Sequence, residues 1–255
     1  MRIANLTHGA LFMLGAYLGA SILKVLPILW LAALVAGAVV AVFGFFLEKF
    51  ILRKLGGNVL GQVLVTLGVS FIIADFCLVV WGGDPIPVPT PQWLQQPVVI
   101  AGLAFPAYRL AVVVIAVFSA IGLFVLIEKT RLGAMIRAGV DDMDMARACG
   151  IPVSRLFTTV FCLGAALAGA AGVIGGPIMS AYPGLDADML PLALIVVILG
   201  GVGSLGGAFI GAFLTGFVYT FGVARFPDLA YVILFLPMIL VIAFRPRGLF
   251  GRFAA

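Results

Sequence analysis

The stretch Leu110-Ala-Val-Val-Val-Ile-Ala-Val-Phe-Ser-Ala-Ile-Gly-Leu-Phe-Val-Leu-Ile127 contains no charged side chain and a single hydroxyl, that of Ser119. Strands of a membrane barrel alternate apolar and polar residues, whereas this run is continuous, so it reads as a helix. It approaches the roughly 20 apolar residues that cross a bilayer core. Uncharged runs of the same kind cover Ala10–Leu23, Val25–Leu47, Val59–Ala74 (continuing past Asp75 to Trp81), Leu156–Leu185, Met189–Ala224 and Leu229–Phe244. The run from Met189 to Ala224 is too long for one span. Gly200-Gly-Val-Gly-Ser-Leu-Gly-Gly207 interrupts it and divides it into two shorter helices. The chain therefore reads as an all-α, polytopic transmembrane helical bundle of about eight membrane segments, some short and glycine-interrupted.

The whole-chain composition points the same way. Of 255 residues, 64% are hydrophobic and 10% charged, with a mean hydropathy of +1.28. Soluble domains run at about 45–50% apolar and about 25% charged. Lipid is the solvent that accepts outward-facing apolar side chains, provided the backbone satisfies itself. The formal charge of +5 does not indicate nucleic acid, because the basic residues separate apolar runs instead of lining one face. Cys77, Cys149 and Cys162 are too few and too scattered for a disulfide framework. A lone histidine, His8, offers neither a zinc set nor a catalytic triad. No cleavable signal peptide is visible, since the first apolar stretch runs past Lys24 into the next one.

Basic loops stay in the cytoplasm. Lys49, Arg53 and Lys54 follow the second segment, Lys129, Arg131, Arg137, Arg147 and Arg155 the fourth, and Arg245, Arg247 and Arg252 the last. Eleven of the 15 basic residues thus share one face, which places the Arg137 loop and the C-terminus inside. Lys24, Arg109 and Arg225 lie opposite, with Asp84, Asp186, Asp188 and Asp228; Arg2 is not assigned by a loop. The outer segment from Gly82 to Pro106 is punctuated by Pro85, Pro87, Pro89, Pro91, Pro97 and Pro106. Prolines at this density give stiff extended chain, read either as a docking surface for an extracytoplasmic partner or as a connector.

Three features carry possible function. Between Gly133 and Pro152 the sequence predicts a short helix, with Asp141 at its N-cap and Asp142 and Asp144 in its first turn. Arg147 lies late, Gly150 stands at C′ and Pro152 acts as a stop. Met145, Ala148 and Cys149 share one face, either resting on the chain's own bundle or docking into a second protein. The second feature is the glycine break. It lacks the lysine of a phosphate loop, and Val202 excludes a nucleophile elbow. It marks either a translocation pathway or close helix packing through Gly203, Gly207 and Gly211. The third is Asn5-Leu-Thr-His-Gly-Ala10, whose polar groups beside the membrane require a polar cavity or a partner. Unsatisfied polar groups cannot face hydrocarbon, which predicts Asn5, His8, Gly203 and Ser204 around one wet cavity.

Together these stretches resemble the permease subunits of branched-chain amino-acid ABC transporters. The residues carrying the resemblance are Ile3-Ala-Asn-Leu-Thr-His-Gly-Ala-Leu-Phe-Met-Leu-Gly-Ala-Tyr17, Arg137-Ala-Gly with Ala146-Arg-Ala-Cys-Gly-Ile151, Leu199-Gly-Gly-Val-Gly-Ser-Leu-Gly-Gly-Ala208 and Arg245-Pro-Arg-Gly-Leu-Phe-Gly251. The first usually reads Asn-Phe-Ala-His-Gly, where Leu6 and Thr7 stand here, and members usually carry one more membrane segment before it.

The resemblance implies a single permease domain over residues 1–255, with a cytoplasmic coupling loop at about 128–155 and no catalytic residue. Arg137, Ala138, Asp142, Ala146, Gly150 and Ile151 are the implied ATPase-coupling residues. Asn5, His8, Gly200, Gly201, Gly203 and Ser204 are the expected pathway residues. Implied partners are a second homologous permease subunit, two ATP-binding subunits that hold ATP and Mg, and a periplasmic substrate-binding protein. No cofactor is expected in this chain, and the implied location is the bacterial inner membrane. A urea or amide permease of the same class is an alternative reading. An ion-coupled secondary transporter is another, disfavoured because the span interiors hold almost no ionisable residue, Asp75 being the nearest case. A membrane-embedded enzyme lacks a converging set of His, Glu, Asp or Cys.

Overall fold

A computed structural model describes residues 5–56, 58–100, 102–201, 203–245 and 248–250, without the side chains of Ile100, Asp228, Ala230 and Tyr231. Arg2, Ile3, Ala4, Val202, Pro246, Arg247, Gly251 and Arg252, quoted above, lie outside the described residues. The helices are α1 (His8–Val25), α2 (Leu29–Phe50), α3 (Val59–Trp81), α4 (Ala107–Lys129), α5 (Arg131–Asp141), α6 (Met143–Ala148), α7 (Val153–Met179), α8 (Leu185–Gly200), α9 (Leu205–Arg225) and α10 (Ala230–Phe244). Among the described residues six of them are long and apolar enough to cross a membrane and α10 holds a shorter apolar helix, Val232–Phe244; with the 16-residue α8, this is in keeping with about eight membrane segments. An antiparallel hairpin, β1 (Pro97–Ile100) and β2 (Leu103–Pro106), lies between α3 and α4.

The boundaries moved for local reasons. Val25–Leu47 becomes a helix starting at Leu29, because Pro27 cannot continue α1 and the chain turns through Leu26–Ile28. Leu156–Leu185 ends as a helix at Met179, where Ser180 takes a positive φ of 65°. The single short helix expected within residues 133–152 is a pair, α5 and α6, and the helical reading of residues 131–141 had no counterpart in the expectations.

Two compact units emerge, Met1–Asp188 and Met189–Ala255. In the first, α7 packs along both α1 and α2. Small residues bring the backbones together: a Cβ on Gly15 would fall on the backbone of Gly169, and one on Gly172 would meet the Phe12 carbonyl and the Ala16 nitrogen. On α2, Gly44 would meet the Ala165 Cβ at 2.8 Å and Gly37 the Ala166 carbonyl oxygen at 2.8 Å. With lipid outside, such contacts replace hydrophobic collapse as the source of cohesion, since dispersion and close packing are what remain.

The proline-rich segment is not a free flap. Val88 and Leu94 are buried in a cluster with Ala20, Leu29, Ala107 and Val173. Ile86 pairs with Ala181 through two backbone hydrogen bonds of 2.7 and 2.9 Å, and the Tyr108 hydroxyl donates to the Ile174 carbonyl at 2.6 Å. In the second unit, α10 packs on α9.

Candidate functional site

The loop between α4 and α7 is built as a braced corner. Thr130 caps α5 by accepting from the Gly133 N–H at 3.1 Å. Its own hydroxyl donates to the Leu126 carbonyl at 2.5 Å, one of the carbonyls left free at the end of α4. Arg137 donates to the next free carbonyl, that of Ile127, and pairs with Glu128 at 3.5 Å. A Cβ on Gly133 would collide with the same Ile127 carbonyl, so glycine lets α5 fold tightly against the end of α4. A guanidinium at a helix C-terminus also opposes the negative end of the macrodipole. Ala138, half-buried, accepts the Asp142 N–H at 3.1 Å.

The cap of α6 is Asp142, not Asp141. Its carboxylate accepts from the N–H groups of Asp144 and Met145, each at 3.0 Å, while Asp141 is the last residue of α5. Asp142 is extended (φ −143°), the conformation an N-cap needs to turn its side chain back onto the helix. The far end closes as a Schellman motif. The Ile151 N–H donates to the Ala146 carbonyl and the Gly150 N–H to that of Arg147, both at 3.0 Å, with Gly150 at φ +81°. Ala146 is 4% exposed and Ile151 half-buried, whereas Met145, Ala148 and Cys149 are exposed. The apolar stripe read from sequence is therefore uncovered by the chain itself. Six residues cannot hold a helix alone; α6 is held by both caps and by its contact with α7.

Just beyond this corner lies an ionic cluster absent from the sequence reading. Glu48, near the end of α2, is 4% exposed. It pairs with Arg53 at 3.1 Å and accepts from the Thr158 hydroxyl at 2.7 Å. Arg53 also donates to Thr158 Oγ1 at 2.5 Å and to the Ser154 carbonyl at 3.4 Å. The turn after α2 is thus tied to the first two turns of α7, immediately after α6. It also fixes the basic α2–α3 turn on the same side as α5 and α6. Sequence carried a weak signal here, a glutamate inside an apolar run followed five residues later by arginine.

The N-terminal stretch is clasped by α3. The Leu6 N–H donates to Thr66 Oγ1 at 3.2 Å, and Ser70 Oγ donates to the Leu6 carbonyl at 3.1 Å. Asn5 Oδ1 accepts from the N–H and the hydroxyl of Thr7, at 3.0 and 2.5 Å. Asn5 Oδ1 and the Leu6 backbone thus find partners within the protein. His8 is exposed. Below Thr66, Gln62 donates to the Leu55 carbonyl at 3.1 Å, while its Oε1 is buried with no hydrogen-bond partner among the described residues. Asn58, Gln62, Thr66 and Ser70 recur every fourth residue, so the sequence itself carries the signal of this polar helix stripe.

The glycine break combines close packing with a latch. A Cβ on Gly200 would fall onto the Gly207 carbonyl, and one on Gly211 would meet the Val196 oxygen at 2.8 Å, so Gly200, Gly207 and Gly211 let α8 and α9 touch. Gly203 has open space around it, φ +85°, and makes the turn; Gly201 is at φ +96°. The Ser204 hydroxyl accepts from the Gly207 N–H at 3.0 Å, capping α9. Carbonyls released by the break are taken by the tail, with Leu249 N–H donating to Leu199 at 2.9 Å and Phe250 N–H to Gly200 at 3.1 Å. Asn5 and His8 belong to one compact unit, and Gly200, Gly201, Gly203 and Ser204 to the other. Among the described residues no group of His, Cys, Asp or Glu is arranged to hold a metal.

Comparison with known proteins agrees with this architecture. The sequence model of one family, described as branched-chain amino acid transport system / permease component, matches residues 1–242. The chain is 29% identical over 263 residues to the high-affinity branched-chain amino acid transport system permease protein BraD of Pseudomonas aeruginosa, covering 97% of this chain and 86% of that protein. It is 27% identical over 265 residues to the corresponding protein LivH of Escherichia coli, covering 97% and 85%. To a probable LivH of Methanocaldococcus jannaschii it is 26% identical over 224 residues, covering 84% and 70%. No solved structure matches it. With its multi-pass helical bundle matched almost end to end, the chain belongs to the family of permease components of branched-chain amino acid transport systems.

Proposed function

We propose that this chain is the membrane-spanning subunit of an ABC importer for branched-chain amino acids in a bacterial inner membrane, with its C-terminus in the cytoplasm. A second homologous permease subunit completes the pore, and two ATP-binding subunits hold ATP and Mg and supply the energy. A periplasmic binding protein delivers the substrate. The observation that carries the proposal is the family match across residues 1–242. The α5–α6 corner supports it physically, because its exposed Met145, Ala148 and Cys149 lie on the side that also carries Arg53 and the basic α2–α3 turn.

Force applied to α6 passes into α7 through the Schellman turn, and from α7 into α1 and α2 through the glycine contacts and the Glu48–Arg53–Thr158 cluster. A packed body of this kind tilts as a unit rather than deforming, which is what a two-state transporter requires. Arg137, Ala138, Asp142, Ala146, Gly150 and Ile151 build and hold the coupling corner. For the pathway, the candidates in the first unit are Asn5 and His8, with Gln62 Oε1 on α3, buried and unpartnered among the described residues, as a further polar group. In the second they are Gly203, which is exposed, and Ser204, which is half-buried, with Gly200 and Gly201 shaping the turn.

The test is uptake into proteoliposomes holding both permease subunits, the ATPases and external binding protein. ATP-dependent leucine entry, displaced by isoleucine and valine but not by urea or acetamide, is the expected result. Uptake of urea in preference to leucine sinks the substrate assignment. Leucine entry driven by a proton gradient without the ATPases sinks the class.

A further inference from the structure

The β1–β2 hairpin is apolar on both faces. In its register Val98 stands opposite Phe105, on the same face as Leu103, while Val99 opposite Ala104 and Pro97 opposite Pro106 form the other. No charged residue occurs anywhere from Pro85 to Tyr108. Among the described residues little covers this element, with Phe105, Val98, Leu103 and Val99 between 39% and 68% exposed. An isolated two-stranded hairpin is marginal in water even with one polar face, and this one has none.

We infer that the hairpin lies in the headgroup interface of the membrane leaflet opposite the coupling corner, as a monotopic anchor whose occupant is the lipid surface. Two features fix its depth. Trp93, at the entrance to the hairpin and 67% exposed, pairs with Trp30 at the first turn of α2, with ring centroids 6.5 Å apart. Tryptophans at the ends of spans mark the headgroup level. From Pro106 the chain passes directly into α4, whose first two residues, Ala107 and Tyr108, are buried and along which no residue from Arg109 to Lys129 is, so the hairpin leads into an apolar, outward-facing helix. The outer edges of the hairpin retain unpaired backbone groups, which exclude it from the hydrocarbon core. At the interface water and headgroups satisfy those edges while the side chains reach the acyl boundary. A partner that comes and goes would leave this element bare in water at every dissociation, and protein interfaces keep a polar rim that this element lacks.

The experiment places a single thiol at Leu103 (Leu103→Cys with Cys77→Ala, Cys149→Ser and Cys162→Ala), labelled with a polarity-sensitive fluorophore, in the full permease complex reconstituted in phosphatidylcholine vesicles. Phospholipid brominated near the headgroup is expected to quench it several-fold more than the same lipid brominated near the acyl terminus, or than aqueous iodide. Adding binding protein should leave this unchanged, and Val99→Asp should restore iodide quenching. Iodide as the dominant quencher in the parent overturns the inference. Emission that shifts only when binding protein is added assigns the hairpin to that partner and overturns it too. Strongest quenching from the acyl terminus would put the hairpin in the core, against the edge argument, and equally overturns it.

Discussion

The backbone N–H of Leu249 donates to the carbonyl of Leu199, 2.9 Å away, so the C-terminal tail closes the gap that the glycine break opens in the membrane helices. Gly248, at φ +81°, makes the approach possible, since a Cβ there would lie 2.5 Å from the Gly201 Cα and 2.7 Å from the Ile198 oxygen. Gly248→Ala should therefore lower stability by about 1–3 kcal/mol through strain and collision. Thermal unfolding of the purified complex measures it. A variant as stable as the parent would show that the tail is carried passively.

The Glu48 cluster makes an asymmetric prediction. Glu48→Ala strands Arg53 beside α7 and should cost about 2 kcal/mol, less than the 3–5 typical of a fully buried pair because the Arg53 side chain is 40% exposed. Replacing both partners, Glu48→Leu with Arg53→Met, should recover most of that loss. If the double variant is no more stable than Glu48→Ala alone, the cluster is not an isolated charge pair and Thr158 carries more of it.

Glycines in the same protein should respond oppositely to one methyl group. Gly15→Ala drives a Cβ into the Gly169 backbone and should cost about 1–3 kcal/mol. Gly122→Ala on α4, with nothing within 4 Å of the added atom, should be neutral or stabilising by up to about 1 kcal/mol. Melting temperatures of the two variants in one detergent give the comparison. Equal shifts would refute the role assigned to the α1–α7 contact.

Neighbouring residues on α6 should separate folding from coupling. Met145→Glu alters an exposed side chain, so the protein should fold with an unchanged melting temperature while ATPase subunits co-purify poorly and uptake falls. Ala146→Glu puts a carboxylate at a position 4% exposed and should reduce the folded yield itself. Full co-purification and uptake by Met145→Glu would leave the exposed stripe without a partner.

A thiol at Ser204 examines the pathway. Ser204→Cys should react with a small charged reagent at a rate that changes when loaded binding protein and ATP are supplied. Constant protection in every state would leave the break with packing and the tail latch alone.

Much of this was legible in the chain itself. Continuous apolar runs fix helices and their number, because lipid forbids any backbone that does not satisfy itself locally. The Gly150 C′ position and the split at Gly200–Gly207 were legible because backbone conformation is a local property of glycine. Other features depended on which elements meet. Asp142 rather than Asp141 became the cap because α5 extends to Asp141, a choice set by the Arg137 and Gly133 contacts with the end of α4. The sequence asks for partners for the polar groups around Asn5 and His8; in the structure Thr7 takes Asn5 Oδ1, and the Leu6 backbone between them is held by Thr66 and Ser70, about sixty residues away. Likewise the carbonyls of Leu199 and Gly200 are satisfied by a tail segment about fifty residues further on. Sequence states that a polar group in a membrane must find a partner; only the tertiary structure decides which one, because the energy of a hydrogen bond depends on distance in space and not on separation along the chain.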